Sequence, residues 1–172
     1  FDEKAKNIQG MLRAVRKVAE ERQDFELVLV GTGVDFEQDI AYAQTLDFPK
    51  DMLTFTGEQT PHEVAQWMQQ SDCFLFFSRY ENAPVVLSEC LAVGLPIISS
   101  NAGGIPEMIN HECGILVPSE NEDALAKALL HMLDRTTVHD IATIRSYGKQ
   151  YTYASIGRQL SKLNQGLIVS SH

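Results

Sequence analysis

The sequence predicts an α/β fold, a parallel sheet covered by helices on both faces, and three observations lead there. Short, continuous apolar runs recur along the chain. The stretches between them carry helical periodicity over about 10 to 15 residues, the signature of βαβ units. Third, 172 residues with 44% hydrophobic and 22% charged side chains are enough for one well-buried core.

Each element follows in order. Residues 4–22 place Ile8, Met11, Leu12, Val15, Val18 and Ala19 at the three-and-four spacing of an amphipathic helix. "FELVLVG" then reads as a strand buried on both faces. "DFEQDIAYAQTL" is a helix and "MLTFTG" a strand. "TPHEVAQWMQQ" is a helix with Thr60 as its cap, Pro61 at the first position and Glu63 completing a capping box. "DCFLFF" is a strand, 84–93 a helix, "PIISS" a strand and "GILV" a short last strand. Helices at about 121–133, 136–148 and 152–168 close the chain, the last with Ile156, Leu160, Leu163 and Leu167 on one stripe. That stripe packs on this domain or reaches another. No repeat, low-complexity tract or proline-rich linker interrupts the series, so residues 1–172 form a single Rossmann-like domain with C-terminal helices at about 136–170.

Composition excludes several classes of function. With 14 basic against 23 acidic residues the net charge is −9, which disfavours an electrostatic footprint for nucleic acid or anionic membrane. A phosphate ligand would need local donors. Cys73, Cys90 and Cys113 are odd in number, widely spaced and set among apolar residues, as reduced core thiols of a cytoplasmic protein are. No run approaches the length of a membrane span, and no leader pattern is present. The histidines show no metal-ligand spacing, and there is no nucleophile elbow. The chain opens at Phe1, without Met and directly before a helical pattern, as a fragment of a longer protein would.

In a parallel sheet the ligand crevice lies beyond the carboxyl ends of the strands. Four loops should line that rim: "GTG" at 31–33, "GEQT" at 57–60, "SRYE" at 78–81 and "NAGG" at 101–104. Glu81 falls in a loop after a strand. Glu89, eight positions on, falls in a helix whose buried arc is Val86, Leu87, Cys90, Leu91 and Val93, so Glu89 faces outward with Ser88 and Ala92. A carboxylate near a helix N-terminus is stabilised by the helix dipole in any case, so spacing alone leaves the pair open between a ligand site and a solvated rim. Gly103 and Gly104 would let a ligand approach the backbone, or would simply serve a tight strand-to-helix turn. Gly31 and Gly33 resemble a dinucleotide fingerprint, but Phe36 takes the third glycine position.

Taken together, "FDEKAKN", "ELVLVGTG", the stretch from "LTFTGEQTPHEV" through "SRYENAPVVLSECLAVGLPIISSNAGGIPEMI", and "GILVPSENEDALAKALLHML" resemble the C-terminal, donor-binding half of a retaining glycosyltransferase of the GT-B fold, family four (glycosyl transferases group 1). The most specific part is Glu81 and Glu89 with seven residues between them, then the "AVGLPII" turn and the glycine pair.

The resemblance implies that a nucleotide diphosphate sugar, a UDP- or GDP-sugar, binds between two Rossmann-like domains. Glu81 would orient the donor sugar and stabilise positive charge at its anomeric carbon, as a nucleophile or as an electrostatic stabiliser. Glu89 would accept hydrogen bonds from the ribose hydroxyls, the amides of Val85 and Val86 would hold phosphate, and Glu58 and Gln59 would border the base. Gly103 and Gly104 belong to the donor site, and Lys6 would neutralise the diphosphate, with Lys4 a second candidate. A family arginine six positions before that lysine would precede Phe1. Departures are Asn82, Ala83 and Pro84 in place of Gly-Phe-Gly, and Phe77 where a proline is common.

The same resemblance implies a hexosyltransferase with no cofactor and no bound metal, acting on a glycan or lipid-linked glycan in polysaccharide assembly. The acceptor-binding N-terminal domain is absent, so the isolated chain should bind donor weakly and transfer nothing. The full-length protein would be cytoplasmic, at the inner face of the membrane only through regions outside this chain. Competing readings are a GT-B nucleotide-sugar epimerase or phosphorylase and a non-catalytic nucleotide-binding module. A dinucleotide oxidoreductase would rest on the "GTG" turn alone.

Overall fold

The structure, a computed structural model, describes residues 1–135 and 139–169, the segment 162–169 by its backbone only. The first predicted helix is two: α1 (Glu3–Lys6) and α2 (Ile8–Glu21). They break at Asn7, whose backbone is left-handed at φ 53°. Asparagine tolerates that region better than most residues. Its side chain is buried, accepts from Arg79, and sits where a Cβ on Gly10 would collide with it.

β1 (Leu27–Val30) leads to α3 (Phe36–Thr45), β2 (Leu53–Gly57), α4 (Pro61–Gln70), β3 (Phe74–Phe76) and α5 (Val85–Val93). The predicted capping box of α4 is present: Glu63 N–H donates to Thr60 Oγ1 at 3.3 Å, and Thr60 N–H donates to Glu63 Oε2 at 2.7 Å. α5 ends at Gly94, left-handed at φ 78°. β4 (Ile97–Ser100), α6 (Ile105–Met108), β5 (Gly114–Val117), α7 (Glu122–Leu133), α8 (Ile141–Gly148) and α9 (Tyr153–Val169) follow. The helix expected over 136–148 begins at Ile141, because Asp140 caps it by accepting from Thr143 N–H at 2.8 Å; residues 136–138 lie outside the described residues. In α9, Ile156 and Leu160 are exposed rather than packed on the domain, and the side chains of Leu163 and Leu167 lie outside the described residues.

All strand pairs are parallel, as expected, but they form two ladders, β1–β2 and β3–β4–β5. Side chains alternate across β4: Ile98 joins a core with Leu12 and Val15 of α2 and Leu125 of α7, whereas Ile97 joins Leu87 and Leu91 of α5, Ile105 of α6 and Ile144 of α8. Helices therefore cover both faces.

The three cysteines are free. Burial pushes the Cys73 thiol up to about 12 and raises Cys90 and Cys113 as well, so all three are poor nucleophiles at neutral pH.

Asp39 of α3 is fully buried, with Oδ2 unpartnered and Oδ1 accepting from Gln9 Nε2 at 3.3 Å. Burial raises its carboxyl above the usual range, against the Gln9 hydrogen bond. The folded chain thus retains a proton that the unfolded chain releases. Its stabilisation is complete below the unfolded value, about 4, and is lost as pH rises through the folded value. Urea midpoints of Asp39→Asn are expected to vary less than those of the parent across that interval.

Candidate functional site

The rim forms where the strands end. β3 runs through Phe77 into the buried Ser78, and Ser100 Oγ, at the end of β4, donates to the Ser78 carbonyl at 2.5 Å. Ser78 Oγ in turn donates to Glu81 Oε1 at 3.1 Å. The same oxygen pairs with Lys6 Nζ, which also lies 5.1 Å from the centroid of the Phe76 ring. Glu81 is 12% exposed and Lys6 38%. Sequence positions 6 and 81 are therefore one charge pair at the rim, half shielded from water, where electrostatic interactions are stronger than at a fully solvated surface.

α5 starts just beyond. Pro84 caps it without a side-chain hydrogen bond, and no described group accepts from the amides of Val85 and Val86. These are unsatisfied donors at the positive end of a helix dipole. Glu89 projects outward from the same helix, exposed, with no hydrogen bond or ion pair among the described residues. Glu58 is exposed at the end of β2, and Gln59 Nε2 donates to the carbonyls of Thr56 at 3.3 Å and Glu58 at 3.1 Å.

The glycine pair does a different job locally. Gly103 is left-handed at φ 53°, and a Cβ there would collide with the Glu81 carbonyl oxygen; one on Gly104 would collide with that of Asn82. Gly104 N–H donates to the Glu81 carbonyl at 3.1 Å. The missing side chains let the Glu81 loop close down on the β4–α6 turn, and this amide is already engaged. The "GTG" turn is occupied too: Phe1 lies over Gly33, and its ring meets Phe36 edge-on at 5.0 Å. Phe36 is thus a packing residue where a dinucleotide site would need a glycine. Lys4 is exposed and in no ion pair among the described residues.

Sequence reasoning missed Arg79. Its guanidinium donates to the Glu3 carbonyl, to Asn7 Oδ1 at 2.5 Å and to Glu120 Oε1 at 2.8 Å, while its N–H donates to the Ala5 carbonyl at 2.8 Å. This clamp fixes α1, which carries Lys6, against the loop that carries Glu81. The signal was an arginine two residues before Glu81, which a solvated-loop reading absorbs. Arg79→Lys is expected to destabilise the chain by about 2 kcal/mol in urea denaturation, because an ammonium cannot span acceptors on three segments.

The ends of the parallel strands thus gather an ion pair, free helix amides and an outward carboxylate on one rim. A solved structure of HepE from Anabaena in complex with UDP superposes with TM-score 0.80 at 18% identity, covering 95% of this chain and 45% of that one. Residues 2–150 match the family model Glycosyl transferases group 1, and the chain belongs to that family. It is 32% identical over 137 residues to N-acetyl-alpha-D-glucosaminyl L-malate synthase of Bacillus anthracis, covering 79% of this chain and 35% of the relative. It is also 32% identical over 134 residues to amylovoran biosynthesis glycosyltransferase AmsK of Erwinia amylovora, covering 74% and 33%. The chain spans about a third of the length of these curated relatives. No described helix is long and apolar enough to cross a membrane, and the described residues hold no cluster of metal-ligating side chains.

Proposed function

We propose that the chain, as a single domain over residues 1–172, is the donor-binding half of a retaining family-four hexosyltransferase that passes a sugar from a nucleotide diphosphate sugar to a glycan or lipid-linked glycan. The observation that carries this is the meeting of Lys6, Glu81 and Ser78 beside the free amides of α5.

The chemistry follows from placement. Breaking the bond between the anomeric carbon and the β-phosphate leaves positive charge on the sugar and negative charge on the diphosphate. Glu81 answers the first, and Lys6 and the α5 amides of Val85 and Val86 the second. Glu89, free and further along the same helix, suits a ribose diol, and Glu58 and Gln59 border the base. Gly103 and Gly104 set the Glu81 loop. The reading requires no resident metal for diphosphate charge. The N-terminal half would supply the acceptor wall, so the isolated chain turns over no substrate. Three cysteines with no disulfide between them fit a reducing, cytoplasmic setting. AmsK, a relative named for amylovoran biosynthesis, supports a role in polysaccharide assembly.

Calorimetric titration with UDP, GDP, ADP and NAD, repeated on Glu89→Ala, tests the site. One nucleoside diphosphate is expected to bind selectively, with about tenfold or greater weakening in the variant, the cost of losing a charge-assisted hydrogen-bond acceptor. Binding of NAD instead, or equal affinity in the variant, would sink the assignment. Retention is checked separately, by the anomeric configuration of the product made by the full-length protein.

A further inference from the structure

Glu81 carries its contacts unevenly. Lys6 Nζ and Ser78 Oγ both donate to Oε1, and no hydrogen bond or ion pair reaches Oε2 among the described residues. A carboxylate oxygen offers about two lone-pair sites, so Oε1 is filled and Oε2 is not. Nor is Oε2 sealed in: Glu81 is 12% exposed, and Oε2 is not among the buried side-chain atoms left without a partner. Oε2 is the oxygen with room for a ligand.

The backbone beneath the carboxylate is fixed separately. The ladder between β3 and β4 ends at Phe76 and Ser99. Beyond it a side chain takes over from the backbone, since the fully buried Ser100 hydroxyl holds the Ser78 carbonyl. The Ala5 carbonyl holds the Arg79 amide, and the Gly104 amide holds the Glu81 carbonyl. These bonds place the loop, but none of them touches the carboxylate. Among the described residues only Lys6 and Ser78 do.

The two differ in freedom. Lys6 is 38% exposed on a flexible four-carbon stem, and the donor site assigned above gives it a second partner, the diphosphate. Ser78 is fully buried, and Glu81 Oε1 is the one acceptor of its hydroxyl among the described residues. An ammonium drawn to phosphate leaves Oε1, whereas the buried hydroxyl stays. A donor that stays on Oε1 stops the carboxylate from rotating and keeps Oε2 forward.

We propose that Ser78, itself held by Ser100, is a positioning residue for the transfer reaction: it pins Oε1 so that Glu81 meets the donor sugar through Oε2 alone. The inference rests on the reading of Glu81 as the group that faces the sugar. Ser78 touches no substrate and acts through Glu81. Misplacing a reacting group by about 1 Å costs up to about a hundredfold in rate, which sets the scale of the effect.

The test is a double-mutant cycle in the full-length protein. Ser78→Ala is expected to lower kcat about tenfold or more, while nucleoside diphosphate affinity, measured by titration, changes less than about twofold. In a Glu81→Gln background the same substitution should have little further effect, because the charge whose position it sets is already gone. A serine that served packing alone would slow both backgrounds by the same factor. Equal factors in the two backgrounds therefore overturn the proposal, as does an unchanged kcat in Ser78→Ala or a loss of nucleotide affinity that accounts for the whole change. If Ser78→Ala does not fold, Ser78→Cys, of similar size and with a weaker donor, is read in the same way. Unchanged turnover in Glu81→Gln alone removes the donor-site reading and the proposal with it, whereas the other outcomes leave that reading standing.

Discussion

Exchanging Glu81 for Gln in the full-length protein is expected to lower kcat/KM for sugar transfer by about a hundred- to a thousandfold. The substitution keeps the size of the side chain, and an amide oxygen can still accept from Ser78 Oγ, so the loop retains its geometry. What is lost is the ion pair with Lys6 and, on the proposed reading, the charge that faces the anomeric carbon. Nucleoside diphosphate binding should persist, because the groups assigned to base and ribose are elsewhere on the rim and Lys6, released from the ion pair, keeps its charge for the diphosphate. A steady-state assay beside a nucleotide titration separates these effects. Unchanged turnover with unchanged binding would remove Glu81 from the chemistry and favour a non-catalytic module.

Replacing Gly103 with Ala is expected to cost about 1 to 3 kcal/mol of stability and at least tenfold in turnover. Two penalties combine, the left-handed backbone and the collision of a Cβ with the Glu81 carbonyl. The neighbour is backbone, so it can yield only if the whole loop moves, and that loop sets the distance from Glu81 to Lys6. Gly57 provides the control. It is also left-handed, at φ 71°, but nothing lies within 4 Å of a Cβ there. Gly57→Ala should show the conformational strain alone, about 1 kcal/mol, with donor chemistry intact. Equal effects at both positions in denaturation and activity assays would show that the close approach at Gly103 carries no function.

Much of this molecule is legible from residue pattern because helices pack on both faces of its strands, β4 being buried throughout. The Thr60–Pro61–Glu63 cap is written in consecutive residues and appears as expected. The alternation of Ile97 and Ile98 between two cores follows from period two. The bend at Asn7 was hidden because the apolar stripe begins only at Ile8, so periodicity says nothing of the turn before it, and the partner that holds the Asn7 side chain is Arg79, 72 positions away. The division of the sheet was hidden for a related reason, since strand patterns show which segments pair but not whether neighbours touch. At the site, Glu81 and Glu89 were visible as a motif, and Lys6 only through resemblance. That Lys6 and Glu81 share an oxygen contact is a fact of tertiary placement. The residues of the glycine pair left a ligand approach and a tight strand-to-helix turn both open, and the structure puts the carbonyls of Glu81 and Asn82 nearest to them.

The junction of α1 and α2 constrains how this sequence can change. Asn7, Gly10 and Arg79 are one interlocked unit: Arg79 donates to the Asn7 side chain, and only a glycine at position 10 leaves that side chain room. A substitution at position 10 is incompatible with Asn7 as placed, and a substitution at position 7 strands part of the guanidinium. Drift through single steps is blocked at all three sites, so they should change together or not at all. In a mutational library the effects of these positions would be strongly epistatic, and selection for altered donor use would have to cross that barrier or leave Lys6 where it stands.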